Sequence, residues 1–157
     1  MKKIDITALL IHIIAAELVG ALSALFAGGF TGLYAIIKQP PLSPPPAVFP
    51  IVWTILYALM GASAYIIFAQ ETSSRKQHIA VGLYAIQLTV NFLWSIIFFR
   101  FEAFFLAALT AVLLAVLVAA MVFAFSKVSK IAALINLPYL AWSLFAAYLA
   151  LGVWILN

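Results

Sequence analysis

Gln87, Asn91 and Trp94 stand at i, i+4 and i+7 within an apolar stretch, so on a helix they share one face. An amide taken out of water without a partner costs roughly 2–7 kcal/mol, so both amides must be satisfied. Gln87 reads as a hydrogen-bond clamp between helices, worth on the order of 1 kcal/mol. Asn91 beside Trp94 reads as the wall of a pocket. Trp53 and Tyr57 lie one turn apart in a second apolar stretch. Tyr139, Trp142 and Ala146 form a third one-face series headed by Pro138, and the small Ala146 leaves room beside the indole. Such groups suit a flat hydrophobic ligand: aromatic rings contribute about 0.5–1.5 kcal/mol each beyond burial, and an amide orients the guest. Tryptophan also gathers at membrane interfaces; Trp154 fits that role, and Trp53 fits either.

Glu17 is the only acid deep in an apolar stretch, and there it must be paired, protonated or turned to a polar cavity. A proton-coupled transporter would use such a group. His12 lies five positions before it, a spacing that does not stack the two, and no second histidine falls in an apolar stretch. Neither a metal site nor a haem ligand follows from it. The chain shows no Ser/His/Asp triad, phosphate loop or paired carboxylates, and no required cofactor is expected. With no cysteine, thiol and disulfide chemistry are excluded.

The elements that position these residues must sit in lipid. At 68% hydrophobic and 8% charged, the chain cannot hide its apolar surface in a soluble fold. A bilayer core takes about 20 apolar residues per helix. Residues 7–27, 49–69, 79–99, 103–125 and 131–156 meet that length and lack the alternation of a barrel strand. The expectation is an all-α bundle of five transmembrane helices forming a single domain over 1–157. The first helix is preceded by Lys2 and Lys3 like a secretory signal, but Glu17 in mid-run marks it as retained.

Residues 28–50 carry Pro40, Pro41, Pro44, Pro45, Pro46 and Pro50, which forbid a continuous helix. Ile36, Ile37, Leu42, Val48 and Phe49 make this stretch too apolar for a solvated linker, so it should fold over the bundle as a lid. Five crossings put Lys2, Lys3, Arg75, Lys76, Lys127 and Lys130 on one side and Lys38 and Arg100 on the other. The positive-inside rule then places the N-terminus in the cytoplasm of a cell (inner) membrane and the lid outside. No basic stripe exists, so nucleic acid is not an expected partner. Ala16, Gly20, Ala24 and Gly28, and likewise Ala107, Ala111, Ala115 and Ala119, form small-residue stripes that allow close helix approach, within the monomer or in a homodimer.

Longer motifs carry a resemblance. Gly32-Leu-Tyr-Ala-Ile-Ile-Lys-Gln-Pro-Pro, Pro44-Pro and Val48-Phe-Pro-Ile-Val-Trp-Thr-Ile-Leu-Tyr-Ala-Leu-Met-Gly61 resemble the lid and second helix of the TspO/translocator protein family. Gly82-Leu-Tyr-Ala-Ile-Gln-Leu-Thr-Val-Asn-Phe-Leu-Trp-Ser-Ile-Ile-Phe-Phe99 resembles its third helix and Pro138-Tyr-Leu-Ala-Trp-Ser-Leu-Phe-Ala146 its fifth. The resemblance implies a five-helix bundle, often dimeric, with a pocket beneath the first loop. It implies binding of porphyrins such as protoporphyrin IX and of isoquinoline carboxamides, and light-dependent oxidative breakdown of the bound porphyrin. By motif position the ligand would meet Tyr34, Trp53, Tyr57, Asn91, Trp94, Trp142 and Ala146, with Trp53 and Trp142 as photo-redox groups. Transport of tetrapyrroles, or signalling of their level, are the alternatives. Two positions depart from the family pattern: Leu33-Tyr34 stands for a usual Trp-Tyr, and Leu149-Ala150 for a usual Leu-Asn. The terminal tyrosine–basic motif tied to cholesterol in animal members is missing too.

Overall fold

Asp5 begins the first helix. Its carboxylate accepts the Ala8 N–H at 3.0 Å, satisfying one of the donors that a helix N-terminus leaves open. In the computed structural model, which describes residues 4–28, 31–70 and 75–157, that helix is α1 (Ile6–Ala27). It stops at Gly28, whose φ of 81° is a left-handed conformation that glycine adopts freely. There follow α2 (Thr31–Ile36), α3 (Val48–Phe68), α4 (Arg75–Ser95), α5 (Phe104–Ser126), α6 (Lys130–Ile135) and α7 (Leu137–Leu156).

The protein is an all-α, multi-pass integral membrane protein. Among the described residues, five helical stretches are long and apolar enough to cross a bilayer. Leu10, Ile14, Leu18, Leu109, Val116 and Phe123 lie exposed along these spans, so the outer surface is the apolar one. Helix α1 packs on α3 and α4, while α4 and α7 flank α5. Each small-residue stripe is used inside the chain in part: Ala16, Ala107, Ala111 and Ala115 are buried, whereas Ala24, Gly28 and Ala119 are exposed. Gly61, outside both stripes, lies against the α1 backbone at His12 and Ile13.

Two spans are interrupted. After Ser95 the third continues as a π-helical turn, Ile96–Arg100, closed by the Phe101 N–H on the Ile96 carbonyl at 3.1 Å. Such turns widen a helix and recur at functional sites. Arg100 then donates to the Phe26 carbonyl at 3.2 Å, tying this end to the top of α1. The fifth span, expected as one helix, breaks at Asn136, because Pro138 has no N–H to continue the ladder. Another difference concerns Arg75, Lys76, Gln77 and His78, expected in a loop but forming the first turn of α4. Lys2, Lys3, Gly29 and Phe30 lie outside the described residues.

The segment after α1 folds back over the bundle and is fastened at several points. Tyr34 donates to the Pro44 carbonyl at 2.8 Å, and Gln39 Nε2 to the Tyr34 carbonyl at 2.6 Å. Tyr148 of α7 donates to the Pro41 carbonyl at 2.8 Å. The Asn157 side chain accepts the Lys38 N–H at 3.0 Å and donates to the Lys38 carbonyl at 2.9 Å. The Pro40 ring sits on Gly152, where a Cβ would collide with it. Within this segment the short helix α2 was not foreseen, although proline does exclude a helix from 37 to 47.

Candidate functional site

A cavity of about 220 Å³ opens between α1, the start of α3, and the end of α4 with its π turn. Helix α1 makes the space by presenting small residues, Gly20, Ala21, Ser23, Ala24 and Ala27. Helix α3 supplies Phe49, Trp53, Thr54 and Tyr57 at near-helical intervals, so one face of its first three turns forms a wall. Asn91, Trp94, Ser95 and Phe99 close the opposite side.

The walls are held by hydrogen bonds made largely outside the cavity. Asn91 Nδ2 donates to the Tyr57 hydroxyl at 3.1 Å. Trp94 Nε1 donates to the Ala107 carbonyl at 3.1 Å, leaving its ring as the surface offered to a guest. Ser23 Oγ donates to the Phe92 carbonyl at 2.9 Å, tying α1 to α4. Trp53 leans on Tyr57 with ring centroids 5.8 Å apart and meets Tyr139 edge-on at 6.3 Å. Tyr139, fully buried, donates to Gln87 Oε1 at 2.7 Å, and Gln87 Nε2 faces the Met60 sulfur at 3.8 Å. Gln87 thus clamps α4 to α7 and α3, as its position in the series suggested.

Of the residues singled out in the sequence, Trp53, Tyr57, Asn91 and Trp94 come together on this cavity. Tyr34 stands behind its wall, edge-on to Phe49 at 5.2 Å. Burial pushes the Tyr34 hydroxyl above the ordinary tyrosine range, opposed by hydrogen bonding with Ser43. Trp142 does not line the cavity: its ring borders an open groove between α3 and α7 with Val52, Ile55, Leu56 and Phe145. It meets Phe49 from the other side at 6.0 Å, and its Nε1 is buried without a hydrogen-bond partner. Ala146 is half-buried and lines neither space.

Among the described residues Glu17 is the one charged side chain lining the cavity, with no Lys, Arg or His beside it there. His12 instead holds its own helix, with Nδ1 2.8 Å from the Ala8 carbonyl and its ring against Phe68. Among the described residues no group of three His, Asp or Glu side chains could hold a metal ion. Sequence reasoning did not place Phe49, Thr54, Ser95 and Phe99 at the site. Phe49 was visible as the residue one turn before Trp53; Phe99 was not, because its direction depends on the π turn.

A lidded bundle of five transmembrane helices around an aromatic cavity is the class of protein that fold and site define. The chain belongs to the TspO/MBR family, whose model matches residues 10–155. It is 36% identical over 124 residues to the tryptophan-rich protein TspO of Chlorobaculum tepidum, covering 79% of this chain and 78% of that one. It is 31% identical over 153 residues to the protein CrtK of Rhodobacter capsulatus, covering 98% and 94%. A translocator protein from Ovis aries is 34% identical over 138 residues, covering 81% and 82%.

Proposed function

We propose that the protein binds tetrapyrroles, protoporphyrin IX among them, and promotes the light-dependent oxidative degradation of the bound porphyrin, with isoquinoline carboxamides as further ligands. The observation that carries this reading is the convergence of Trp53, Trp94, Tyr57 and Asn91 on one cavity inside the membrane, in a member of the TspO/MBR family. Indole and phenol faces stack on a flat macrocycle, and burial adds about 25 cal/mol per Å² of apolar surface. Ligand pockets commonly span about 300–1,000 Å³, so a porphyrin outgrows this cavity. Its binding requires the Phe49–Pro50 wall and the lid above it to give way. The illuminated macrocycle takes an electron from the Trp53 indole, dioxygen adds to the reduced ring, and that adduct returns one electron to the Trp53 radical cation, so the net change is addition of dioxygen to the porphyrin.

The same reading sets the protein as a homodimer in a cell (inner) membrane, N-terminus in the cytoplasm and lid outside. Glu17 favours transport as a second reading, since a carboxyl on a membrane cavity suits proton-coupled movement of a hydrophobic guest. The test is quenching of tryptophan fluorescence by protoporphyrin IX in detergent, in the dark and then under light. Saturable quenching followed by loss of the porphyrin band faster than in empty micelles supports the proposal. Non-saturable quenching overturns it, and saturable quenching without faster loss leaves binding and rejects degradation.

A further inference from the structure

The cavity pairs a lone carboxyl with an aromatic wall. Glu17 lines the cavity from α1, one turn before the small residues Gly20 and Ala21. Across that space stand Phe49, Trp53, Tyr57, Trp94 and Phe99. Eleven residues into a helix that starts at Ile6, Glu17 stands about 16 Å along α1, near mid-membrane. Among the described residues no cation lines the cavity to neutralise a carboxylate there. Aromatic faces attract positive charge, and a carboxylate opening on a membrane cavity favours a cation beside it. Together they form a receptor for an organic cation.

We propose that this cavity binds small planar aromatic cations, with Glu17 as the counter-ion that selects charge and the rings of Trp53, Trp94 and Tyr57 as the cage that selects shape. The proposal rests on the cavity alone and stands apart from the tetrapyrrole reading. Size agrees with it, since about 220 Å³ admits a two-ring guest without displacing the lid. The fixed hydrogen bond of Trp94 agrees as well. Its single N–H is already committed to the Ala107 carbonyl, so the indole offers a guest its ring face and no donor for an anion.

The test compares N-methylquinolinium, permanently charged and without an N–H, with its neutral isostere 1-methylnaphthalene. Each is titrated against the tryptophan fluorescence of the full-length protein in phosphatidylcholine nanodiscs. The cation should bind at least about tenfold more tightly than the isostere, equivalent to ~1.4 kcal/mol. Glu17→Gln should erase that preference while 1-methylnaphthalene binds as before, and Glu17→Asp should retain it. Equal affinity of the two probes for the unaltered protein overturns the proposal whether or not any variant folds. So does a Glu17→Gln protein that binds the neutral probe unchanged and still prefers the cation.

Discussion

Gly20 and Tyr57 fit so closely that a Cβ on residue 20 would overlap the Tyr57 ring. The cavity therefore owes its shape to a missing methyl group: the ring lies against α1, and its hydroxyl meets Asn91 on α4. Gly20→Ala should push the ring toward the cavity and strain the Asn91 bond, destabilising the fold by about 1–3 kcal/mol. Gly82 has nothing within 4 Å of its Cβ position. Gly82→Ala should stabilise α4 by up to about 1 kcal/mol. Thermal unfolding in detergent checks both signs, and a Gly20→Ala protein as stable as the parent would refute the close fit.

The Tyr139–Gln87 bond is buried on both sides, so removing one partner strands the other. Tyr139→Phe leaves Gln87 Oε1 without its donor and should cost about 1–2 kcal/mol. Adding Gln87→Leu removes the stranded acceptor, so the double variant should lose less than the sum of the single losses. Strict additivity in a double-mutant cycle would show that the two side chains do not depend on each other.

Asn157 grips both backbone groups of Lys38, and Tyr148 holds Pro41 nearby. These bonds are exposed, so each contributes roughly 0.5–1.5 kcal/mol to keeping the lid closed. Asn157→Ala should speed amide hydrogen exchange at residue 38 by several-fold and leave exchange in α5 unchanged. Because the lid must yield to a large ligand, the same variant should take up protoporphyrin IX faster. Exchange unaltered at residue 38 would mean that Pro40 on Gly152 holds the lid without Asn157.

The spans were legible because lipid tolerates few solutions: length and hydropathy alone select five helices. Gln87 was legible for a similar reason, since a buried amide must find a partner. What the sequence could not convey is which neighbour a given face meets. Tyr139 and Trp142 look like one series, yet three residues turn a helix by about 300° and leave them roughly 60° apart. That offset suffices to send Tyr139 to Gln87 and Trp142 to the groove beside Val52 and Ile55. The π turn is likewise silent in composition, since Ile96-Ile-Phe-Phe reads as ordinary apolar helix.

The two tryptophans implicated in photochemistry should prove unequal. Trp53 lines the cavity directly, whereas Trp142 lies behind Phe49 with its ring on a different surface. Electron donation to an excited ligand falls steeply with separation, so contact with the guest decides which indole reacts. Trp53→Phe keeps a stacking surface and removes the easily oxidised ring; porphyrin loss under light should slow several-fold while dark binding weakens about tenfold at most, the ceiling set by one lost aromatic pair. Trp142→Phe should retain most of the photochemical rate. The Trp142 Nε1 has no partner to lose, so that variant should also keep its stability within about 1 kcal/mol. Photobleaching rates measured at saturating protoporphyrin IX separate chemistry from binding. A larger slowing in Trp142→Phe than in Trp53→Phe would place the reactive macrocycle on the α3–α7 groove instead of the α1–α3–α4 cavity.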